Sequence, residues 1–119
     1  MSGGGIKRIN TILYCRNWND TVKFYRDVLK LTVHHKAEWL VEFQLIDNTF
    51  LSIANAASTS IKSSNGDGIT LSFQVGNIDI AHRRLREIGI ETGPIKAIWG
   101  SRAFYIFDPE GHRIELWSS

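Results

Sequence analysis

Residues 105–117, YIFDPEGHRIELW, decide the fold of the C-terminal part of this chain, because they have the pattern of a β-hairpin. Pro109 presets φ for a turn and Gly111 accepts a left-handed φ, so the chain is predicted to reverse there. In the return strand apolar and polar residues alternate, which places Glu115 and Trp117 on one face. A carboxylate beside an aromatic ring on a rigid strand suits a ligand or metal site; a solvated strand residue is the alternative.

The composition is that of an ordinary globular domain. The 119 residues are 43% hydrophobic and 22% charged, enough for one core. The formal net charge of +2 and the scattered basic residues argue against nucleic-acid binding. No apolar run approaches the ~20 residues of a membrane span, and the first residues lack the apolar core of a signal peptide. We therefore predict a cytoplasmic protein with no membrane or nucleic-acid partner. The single cysteine, Cys15, excludes an internal disulfide.

The order of predicted elements is the same on both sides of a stretch rich in serine, asparagine and glycine at about 58–68. Module 1 covers about 6–57 and module 2 about 69–119, within one domain of residues 1–119. Each module is predicted to contain one strand, one helix and three further strands. The sequence therefore predicts an α+β fold in which two βαβββ modules form one curved mixed β-sheet with the helices on its convex face.

The predicted helices begin after Asn17 and Asn77, which are favourable N-cap residues. They end near Leu29 and at Gly89. The remaining apolar segments are predicted strands. They lie at 7–15, 32–37, 39–45 and 49–55 in module 1, and at 69–75, 90–96, 101–107 and 113–117 in module 2.

Alternation along the strands separates a helix-facing side from a polar, concave side. In strand 69–75 the apolar residues Leu71 and Phe73 are predicted to face the helix, which leaves Thr70, Ser72 and Gln74 on the other side. The same argument assigns the following residues to the polar side: Asn10, Ile12, Tyr14, Phe50, Ser52, Ala54, Arg113, Glu115 and Trp117. Aromatic rings among a few polar groups are typical of a small-molecule pocket. A wet open sheet or a surface that faces a partner chain is the alternative.

These features together resemble the vicinal oxygen chelate superfamily, which includes glyoxalase I, extradiol dioxygenases, fosfomycin-resistance proteins and bleomycin-resistance binding proteins. The resemblance extends over almost the whole chain. It rests on the doubled module, on Phe24-Tyr25 in the first helix, on Trp99-Gly-Ser-Arg102 before a strand, and on the hairpin at 105–117. In the metal-using members, histidines and carboxylates at four strand positions hold a divalent ion.

Superposition of the modules places those four positions at Asn10, Ser52, Thr70 and Glu115, of which only Glu115 is a convincing ligand. The four histidines, His34, His35, His82 and His112, are interpreted as surface residues. The resemblance therefore implies the metal-free branch typified by bleomycin-resistance proteins, with no metal and no cofactor. It further implies a homodimer that binds a small organic molecule in a groove. The net charge of +2 would not steer a cationic ligand such as bleomycin into the groove, so a neutral or anionic ligand is an equal alternative.

The candidate ligand-binding residues are polar or aromatic side chains on or near the predicted polar side. They are Asn10, Tyr14, Trp39, Phe50, Ser52, Thr70, Ser72, Gln74, Trp99, Arg102, Arg113, Glu115 and Trp117. Four other aromatic residues, Phe24, Tyr25, Phe73 and Phe107, are assigned to the core. The alternative function is that of a lyase or isomerase in which Glu115 is a general base or a metal ligand. In that case Arg102 or Arg113 would hold an anionic substrate beside it.

Overall fold

The computed structural model describes residues 3–119, which divide into two compact units. Unit 1 ends at Asn65, and unit 2 comprises Gly66–Ser119. Each unit contains one helix and four strands, as the predicted modules require. No helix in residues 3–119 combines the length and the apolar character needed to cross a membrane.

Unit 1 begins with strand β1 (Ile9–Cys15), followed by helix α1 (Trp18–Lys23) and a π-helical turn (Phe24–Val28). Its other strands are β2 (Thr32–Lys36), β3 (Leu40–Ile46) and β4 (Thr49–Asn55), and short 3-10 turns lie at Gly3–Gly5 and Ala56–Ser58. The sheet order is β1-β4-β3-β2, with β1 parallel to β4 and the other pairs antiparallel. The predicted helix to Leu29 is therefore present, but its second half is wound more loosely than an α-helix.

The core of unit 1 lies between the helix and one face of the sheet. Leu13 and Cys15 of β1 alternate with less buried neighbours, as the prediction of a helix-facing side requires. Tyr25 is fully buried, and its ring centroid is 6.3 Å from that of Phe43. The other buried apolar residues of β3, β4 and the helical segment are Val22, Phe24, Val41, Leu51 and Ile53. Burial of each large apolar side chain contributes about 1.5–3 kcal/mol to folding.

Unit 2 begins with strand β5 (Thr70–Gln74), followed by helix α2 (Ile78–Glu87). Strands β6 (Lys96–Ile98), β7 (Ser101–Phe107) and β8 (Arg113–Ser118) complete the sheet, whose order is β5-β8-β7-β6. Asn77 caps α2 as predicted, because its side chain accepts a hydrogen bond of 3.0 Å from the backbone N–H of Ile80. The buried apolar residues of this unit are Ile78, Leu85, Ala103, Phe104, Ile106, Ile114 and Leu116.

The α+β fold and the two-module arrangement are confirmed, and the eight strands form two mixed sheets of four. Among the described residues, backbone hydrogen bonds between strands join only strands of the same module. The edge strands are β1 and β2 in one sheet and β5 and β6 in the other. This division replaces the single sheet that the sequence suggested.

The predicted strand at 90–96 is wrong over most of its length. Residues 90–95 are irregular, and β6 contains only the three residues Lys96–Ile98. Pro94 has no N–H and a fixed φ, so the segment around it cannot form a regular ladder. Gly93 still donates a hydrogen bond of 3.0 Å to the carbonyl of Tyr105, which holds this segment against β7.

The predicted linker at 58–68 ends in a turn that packs on the last hairpin. Gly66 has a φ of 83°, and a Cβ at this position would overlap the backbone carbonyl of Gly111. Glycine is therefore required there for space as well as for conformation.

Candidate functional site

The polar strand face of unit 2 has the register that the sequence predicts. Along β5, Thr70, Ser72 and Gln74 are exposed, whereas Leu71 and Phe73 between them are less exposed. Along β8, Ile114, Leu116 and Ser118 are buried, whereas Arg113, Glu115 and Trp117 are more exposed. Cross-strand pairing joins the two polar sets, since Thr70 pairs with Arg113, Ser72 with Glu115, and Gln74 with Trp117. The alternation of polar and apolar residues therefore places these six side chains on one face.

Glu115 is held between two hydroxyl groups. Ser72 Oγ donates to Glu115 Oε1 at 2.6 Å, and Tyr105 Oη donates to Glu115 Oε2 at 3.1 Å. Glu115 is half-buried, and in the part of the chain that the structure describes these two hydroxyls are its hydrogen-bond partners. The carboxylate is thus oriented by neutral donors from both neighbouring strands and carries an unneutralised charge.

Arg113 lies beside this carboxylate on the same face. Its Nε donates to Thr70 Oγ1 at 3.0 Å, and its guanidinium carbon is 4.6 Å from the centroid of the Tyr105 ring. No carboxylate in residues 3–119 forms an ion pair with Arg113. An exposed arginine that is stacked on an aromatic ring and has no acidic partner is suited to bind an anion.

The aromatic residues of unit 2 do not all share this face. Trp117 does, and it is partly exposed beside Gln74. Phe107, assigned to the core from the sequence, is 59% exposed because it pairs with Arg113 and so points to the polar face. Trp99 lies in the turn between β6 and β7 with a φ of 51° and is 99% exposed. Trp99 is therefore displayed at the end of a hairpin, not on the strands.

Arg102 lies on the opposite face of the sheet from Glu115. Arg102 pairs with Ser118 in the ladder, so alternation along β7 puts its side chain on the other face from that of Tyr105. Its guanidinium donates two hydrogen bonds of 2.8 and 2.9 Å to Asp79 of α2. This contact lowers the pKa of the Asp79 carboxyl, because the hydrogen bond from Arg102 stabilises its charged form. The expectation that Arg102 could hold a substrate beside Glu115 is therefore wrong, since strand alternation turns it towards the helix.

The turn that leads into β8 is built around a buried pair. Asp108 Oδ1 accepts from the backbone N–H groups of Glu110, Gly111 and His112 at 2.9–3.0 Å, and Oδ2 is 2.8 Å from His112 Nδ1. Both side chains are almost completely buried, so the interpretation of His112 as a surface residue is wrong. The carboxylate satisfies three backbone donors and one imidazole at once, which fixes the position at which β8 begins.

His82, also interpreted from the sequence as a surface residue, contacts other residues of unit 2 through its ring. Its Nε2 lies 3.0 Å from the carbonyl oxygen of Gly93 and 3.2 Å from Thr92 Oγ1, and its ring packs edge-on against Phe104. A cavity of about 360 Å³ beside it is lined by His82, Arg83, Arg86 and Glu87. These contacts attach the irregular segment before β6 to the helix.

The polar strand face of unit 1 contains a second carboxylate, Glu42 of β3. Its oxygen Oε2 accepts from Asn10 Nδ2 at 3.2 Å, and Asn10 Oδ1 accepts from Ser52 Oγ at 2.8 Å. Glu42 pairs with Ser52 across the ladder, and both residues are buried. Asn10 and Ser52, predicted from the sequence to share a site, are thus hydrogen-bonded to each other, and Asn10 also contacts Glu42.

Two cationic or basic side chains cover this carboxylate. Arg8 Nη2 and His34 Nδ1 each lie 2.7 Å from Glu42 Oε1. The pKa of Glu42 lies below its ordinary value, because the hydrogen bond from Arg8 stabilises the carboxylate, with help from His34 and against the effect of burial. Arg8 also lies 3.7 Å above the Phe50 ring, and the ring of His34 is 4.8 Å from it. The buried ring of Phe50 therefore packs against both the Arg8 and the His34 side chains.

The other predicted site residues of unit 1 lie apart from this network. Tyr14 is partly buried and pairs with Ala54 near the end of β1 and β4. Trp39 precedes β3 and is 40% exposed. It lines a cavity of about 550 Å³ with Glu38, Ser58, Thr59 and Ser60.

The four positions compared with metal ligands do not fit a divalent ion. In unit 1, Asn10 and Ser52 are neutral and hydrogen-bonded to each other. In unit 2, the hydroxyl of Thr70 already accepts from the guanidinium of Arg113, and a fixed positive charge at that point opposes a cation. Glu115 is the only acidic side chain of the set. Within the described residues, no three histidine, cysteine, aspartate or glutamate side chains are arranged to hold a metal.

Sequence reasoning missed Arg8, His34, Glu42 and Tyr105. Three of them have a signal in the alternation, because Arg8 is in phase with Asn10, Glu42 is an acid between buried neighbours in β3, and Tyr105 stands opposite Glu115. The position of His34 has no such signal. His34 lies in a bulge between Val33, which pairs with Phe43, and His35, which pairs with Glu42, and its side chain contacts Glu42.

Comparison with known proteins gives a match over nearly the whole chain. A family model described as the glyoxalase-like domain matches residues 8–119. The lactoylglutathione lyase from Agrobacterium tumefaciens is similar in structure, with 22% identity, a TM-score of 0.79, and coverage of 100% of this chain and 96% of that chain. A glyoxalase/bleomycin resistance protein/dioxygenase from Nocardioides shares 21% identity, with a TM-score of 0.80 and coverage of 99% and 86%.

A third solved structure is a protein of unknown function from Agrobacterium tumefaciens str. C58. It is 26% identical, with a TM-score of 0.78 and coverage of 99% of this chain and 98% of that chain. The two likenesses at 21% and 22% identity show the fold alone.

Proposed function

The chain belongs to the family of glyoxalase-like domains, in the glyoxalase/bleomycin resistance/dioxygenase superfamily, and we propose that it binds a small organic molecule on the polar strand face of unit 2 without a divalent metal. The observation that carries this proposal is the position of Arg113. Its guanidinium donates a hydrogen bond to the hydroxyl of Thr70. Thr70 is one of the four strand positions at which a metal-using member would need a ligand. A cation there favours an anionic group of an organic ligand over a metal ion.

The side chains around Arg113 indicate the chemistry of that ligand. Phe107 is exposed and Trp117 is partly exposed on the same face, so an apolar or aromatic body can stack against them. Glu115, with its charge unneutralised, can accept a hydrogen bond from a hydroxyl or amine of the ligand. We therefore propose a ligand with a flat apolar part, an anionic group and at least one hydrogen-bond donor.

The test is a ligand screen read by tryptophan fluorescence and isothermal titration. Aromatic carboxylates and glutathione conjugates serve as the probes, and Trp117→Ala should weaken binding of any hit by about 2 kcal/mol, as loss of a buried aromatic anchor commonly does. Arg113→Ala should weaken an anionic ligand more than its neutral amide. Arg102→Ala is the matched control, because it removes an arginine of the same unit from the opposite sheet face. Binding that survives both Trp117→Ala and Arg113→Ala would show that the ligand binds elsewhere.

The absence of a metal role is tested separately. Titration of tag-free protein with Zn²⁺, Ni²⁺ and Mn²⁺ should give no stoichiometric site. A 1:1 site that is lost in Glu115→Ala would contradict this part of the proposal.

An enzyme is the second candidate, and one observation favours it. Glu115 is oriented by Ser72 and Tyr105, and Arg113 lies over the same tyrosine. In a lyase or isomerase, Glu115 would take a proton from a carbon next to a carbonyl and return it to a neighbouring atom, while Arg113 holds an anionic group. Formation or cleavage of lactoylglutathione is the first reaction to assay, because a structurally similar protein has that activity in its name. Turnover that is lost in Glu115→Gln but kept in Glu38→Gln would favour the enzyme.

We also propose that the protein is a homodimer, as the sequence resemblance implies. Trp99 is a large aromatic side chain of unit 2 that is 99% exposed, which is the kind of residue that a partner surface covers. Light scattering should give twice the 13.5 kDa of one chain at micromolar concentration. A molecule of 13.5 kDa would refute the dimer. The cytoplasmic location stays a prediction from the sequence.

A further inference from the structure

Unit 1 holds a carboxylate–imidazole pair that lies outside the site proposed above. Glu42 Oε1 and His34 Nδ1 are 2.7 Å apart, a short distance for a hydrogen bond to a charged acceptor. The Glu42 side chain is 11% exposed, whereas that of His34 is 49% exposed. The pair is therefore anchored at its acidic end and open to solvent at its imidazole end.

The other contacts of Glu42 fix which nitrogen of His34 carries the proton. Arg8 donates to the same oxygen at 2.7 Å, and Asn10 donates to the second oxygen at 3.2 Å. A carboxylate that receives these donors stays ionised at neutral pH, because its pKa is lowered by the Arg8 hydrogen bond. It can then only accept from Nδ1, so neutral His34 has its proton on Nδ1 and its lone pair on Nε2.

Packing holds the ring in this orientation. The centroids of the His34 and Phe50 rings are 4.8 Å apart, and Phe50 is itself 4% exposed. His34 lies in the β2 bulge between Val33 and His35, next to the residue that pairs with Glu42 in the ladder. Within residues 3–119, the Nε2 atom has no hydrogen-bond partner of its own.

We propose that Nε2 of His34 is a proton-accepting site, oriented by Glu42, for a small molecule that bears a hydroxyl next to an anionic group. Arg8 supplies the contact for the anionic group: its Nη2 is bonded to the Glu42 oxygen that His34 also contacts, and its side chain is 41% exposed, so its other N–H groups can reach a ligand. In the proton transfer, the O–H bond of the ligand breaks and an N–H bond forms at Nε2. The electron pair stays on the ligand oxygen, and Glu42 stabilises the imidazolium. Glu42 is here a positioning residue, and His34 is the residue that touches the ligand.

The first test measures the tautomer of His34 by ¹⁵N-edited NMR of the histidine side chains in the full chain. Wild-type protein should show neutral His34 with its proton on Nδ1. In Glu42→Gln the population should shift towards the Nε2-protonated form, which unrestrained histidine prefers. His35, its neighbour on the exposed edge strand, is the internal control and should be unchanged between the two proteins. A wild-type His34 with its proton on Nε2 would overturn the proposal even if Glu42→Gln did not fold.

The second test measures reactivity and binding. Diethyl pyrocarbonate, which acylates an accessible imidazole nitrogen, should modify a histidine that is lost in His34→Gln and retained in His35→Gln. Glycolate should move the His34 ring resonances in a saturable way, acetate should move them less because it lacks the hydroxyl, and Arg8→Ala should abolish the difference. Equal responses to glycolate and acetate in wild-type protein would overturn the proposed ligand class. Both tests concern unit 1, so their failure leaves the proposal for Glu115 unaffected.

Discussion

The two units place a carboxylate at the same cross-strand pair of their sheets, but on opposite members of that pair. In unit 1 the acid is Glu42 on β3 and its partner across the ladder is Ser52 on β4. In unit 2 the acid is Glu115 on β8 and its partner is Tyr105 on β7. The equivalence follows from the sheet orders, since β3 and β4 correspond to β7 and β8.

This exchange changes the electrostatic environment of the acid. A residue on β3 is next to edge strand β2, from which His34 reaches Glu42, and Arg8 covers the same oxygen. A residue on β8 lies between β5 and β7, from which Ser72 and Tyr105 supply only hydroxyls. The same architecture therefore yields one neutralised, buried acid and one acid that is oriented but not neutralised. The strand on which the acid lies therefore decides whether its carboxylate is already paired with basic side chains, as in Glu42, or is left to accept from a ligand, as in Glu115.

The two hairpin turns give the largest expected difference between the units. Asp108→Ala removes the acceptor of three backbone N–H groups and of the buried His112, so it should lower the free energy of unfolding by about 3 kcal/mol. Asp47→Ala, at the exposed turn of unit 1 with a φ of 42°, should cost about 1 kcal/mol through backbone strain. Urea denaturation measures both. Equal losses would mean that the buried Asp108 network does not stabilise unit 2 in this way.

The two acids should differ in their effect on stability. Glu42→Gln leaves Arg8 and His34 without their acceptor charge, and we expect a loss of about 2 kcal/mol. Glu115→Gln keeps an oxygen for one hydroxyl donor, and we expect a loss of about 1 kcal/mol or less. Thermal denaturation of the two variants compares them directly. A larger loss for Glu115→Gln would reverse the assignment of structural and ligand-binding roles.

The pH dependence should also distinguish Glu42. Its pKa is lowered in the folded protein by Arg8, so the unfolded chain binds a proton at a higher pH than the folded one does. The stabilisation is therefore present above the ordinary pKa of about 4.5 and is lost as pH falls through the lower folded value. The melting temperature of wild-type protein should fall below about pH 4.5, and Glu42→Gln should flatten that fall. Asp27 and Asp79, whose pKa values are lowered by Arg26 and Arg102, contribute a remainder of the same sign.

The smallest effect is expected on the outer surface of unit 2. Arg102→Ala breaks an exposed ion pair with Asp79, and exposed pairs contribute little because water screens them. The melting temperature should hardly change, and neither should the affinity for any ligand of the Glu115 face. A clear loss of ligand affinity in this variant would show that the two sheet faces are not independent.

The helices, most strands and the register could be predicted because they follow from local patterns. Asn77 is a helix cap by its own side-chain chemistry, and alternation along β5 and β8 needs no long-range information. The irregular segment before β6 was missed although Pro94 is visible in the sequence, since apolar residues on both sides suggested a strand. His112 was assigned to the surface because the sequence does not show that a turn side chain folds back onto Asp108.

Repeat order and alternation in the sequence are enough to define the two modules and the polar strand face of each unit, with Asn10 and Ser52 in unit 1 and Thr70, Ser72, Arg113, Glu115 and Trp117 in unit 2. The residue types also show that Asn10, Ser52 and Thr70 are poor metal ligands. Which charges meet depends on the three-dimensional arrangement of the strands. Arg8, His34 and Glu42 lie on three separate segments, and Arg113 meets Thr70 from 43 positions away in the chain. Such contacts depend on sheet order and on the register between neighbouring strands. A pattern along one strand reports which face a side chain takes, but not which side chains of other strands it meets there.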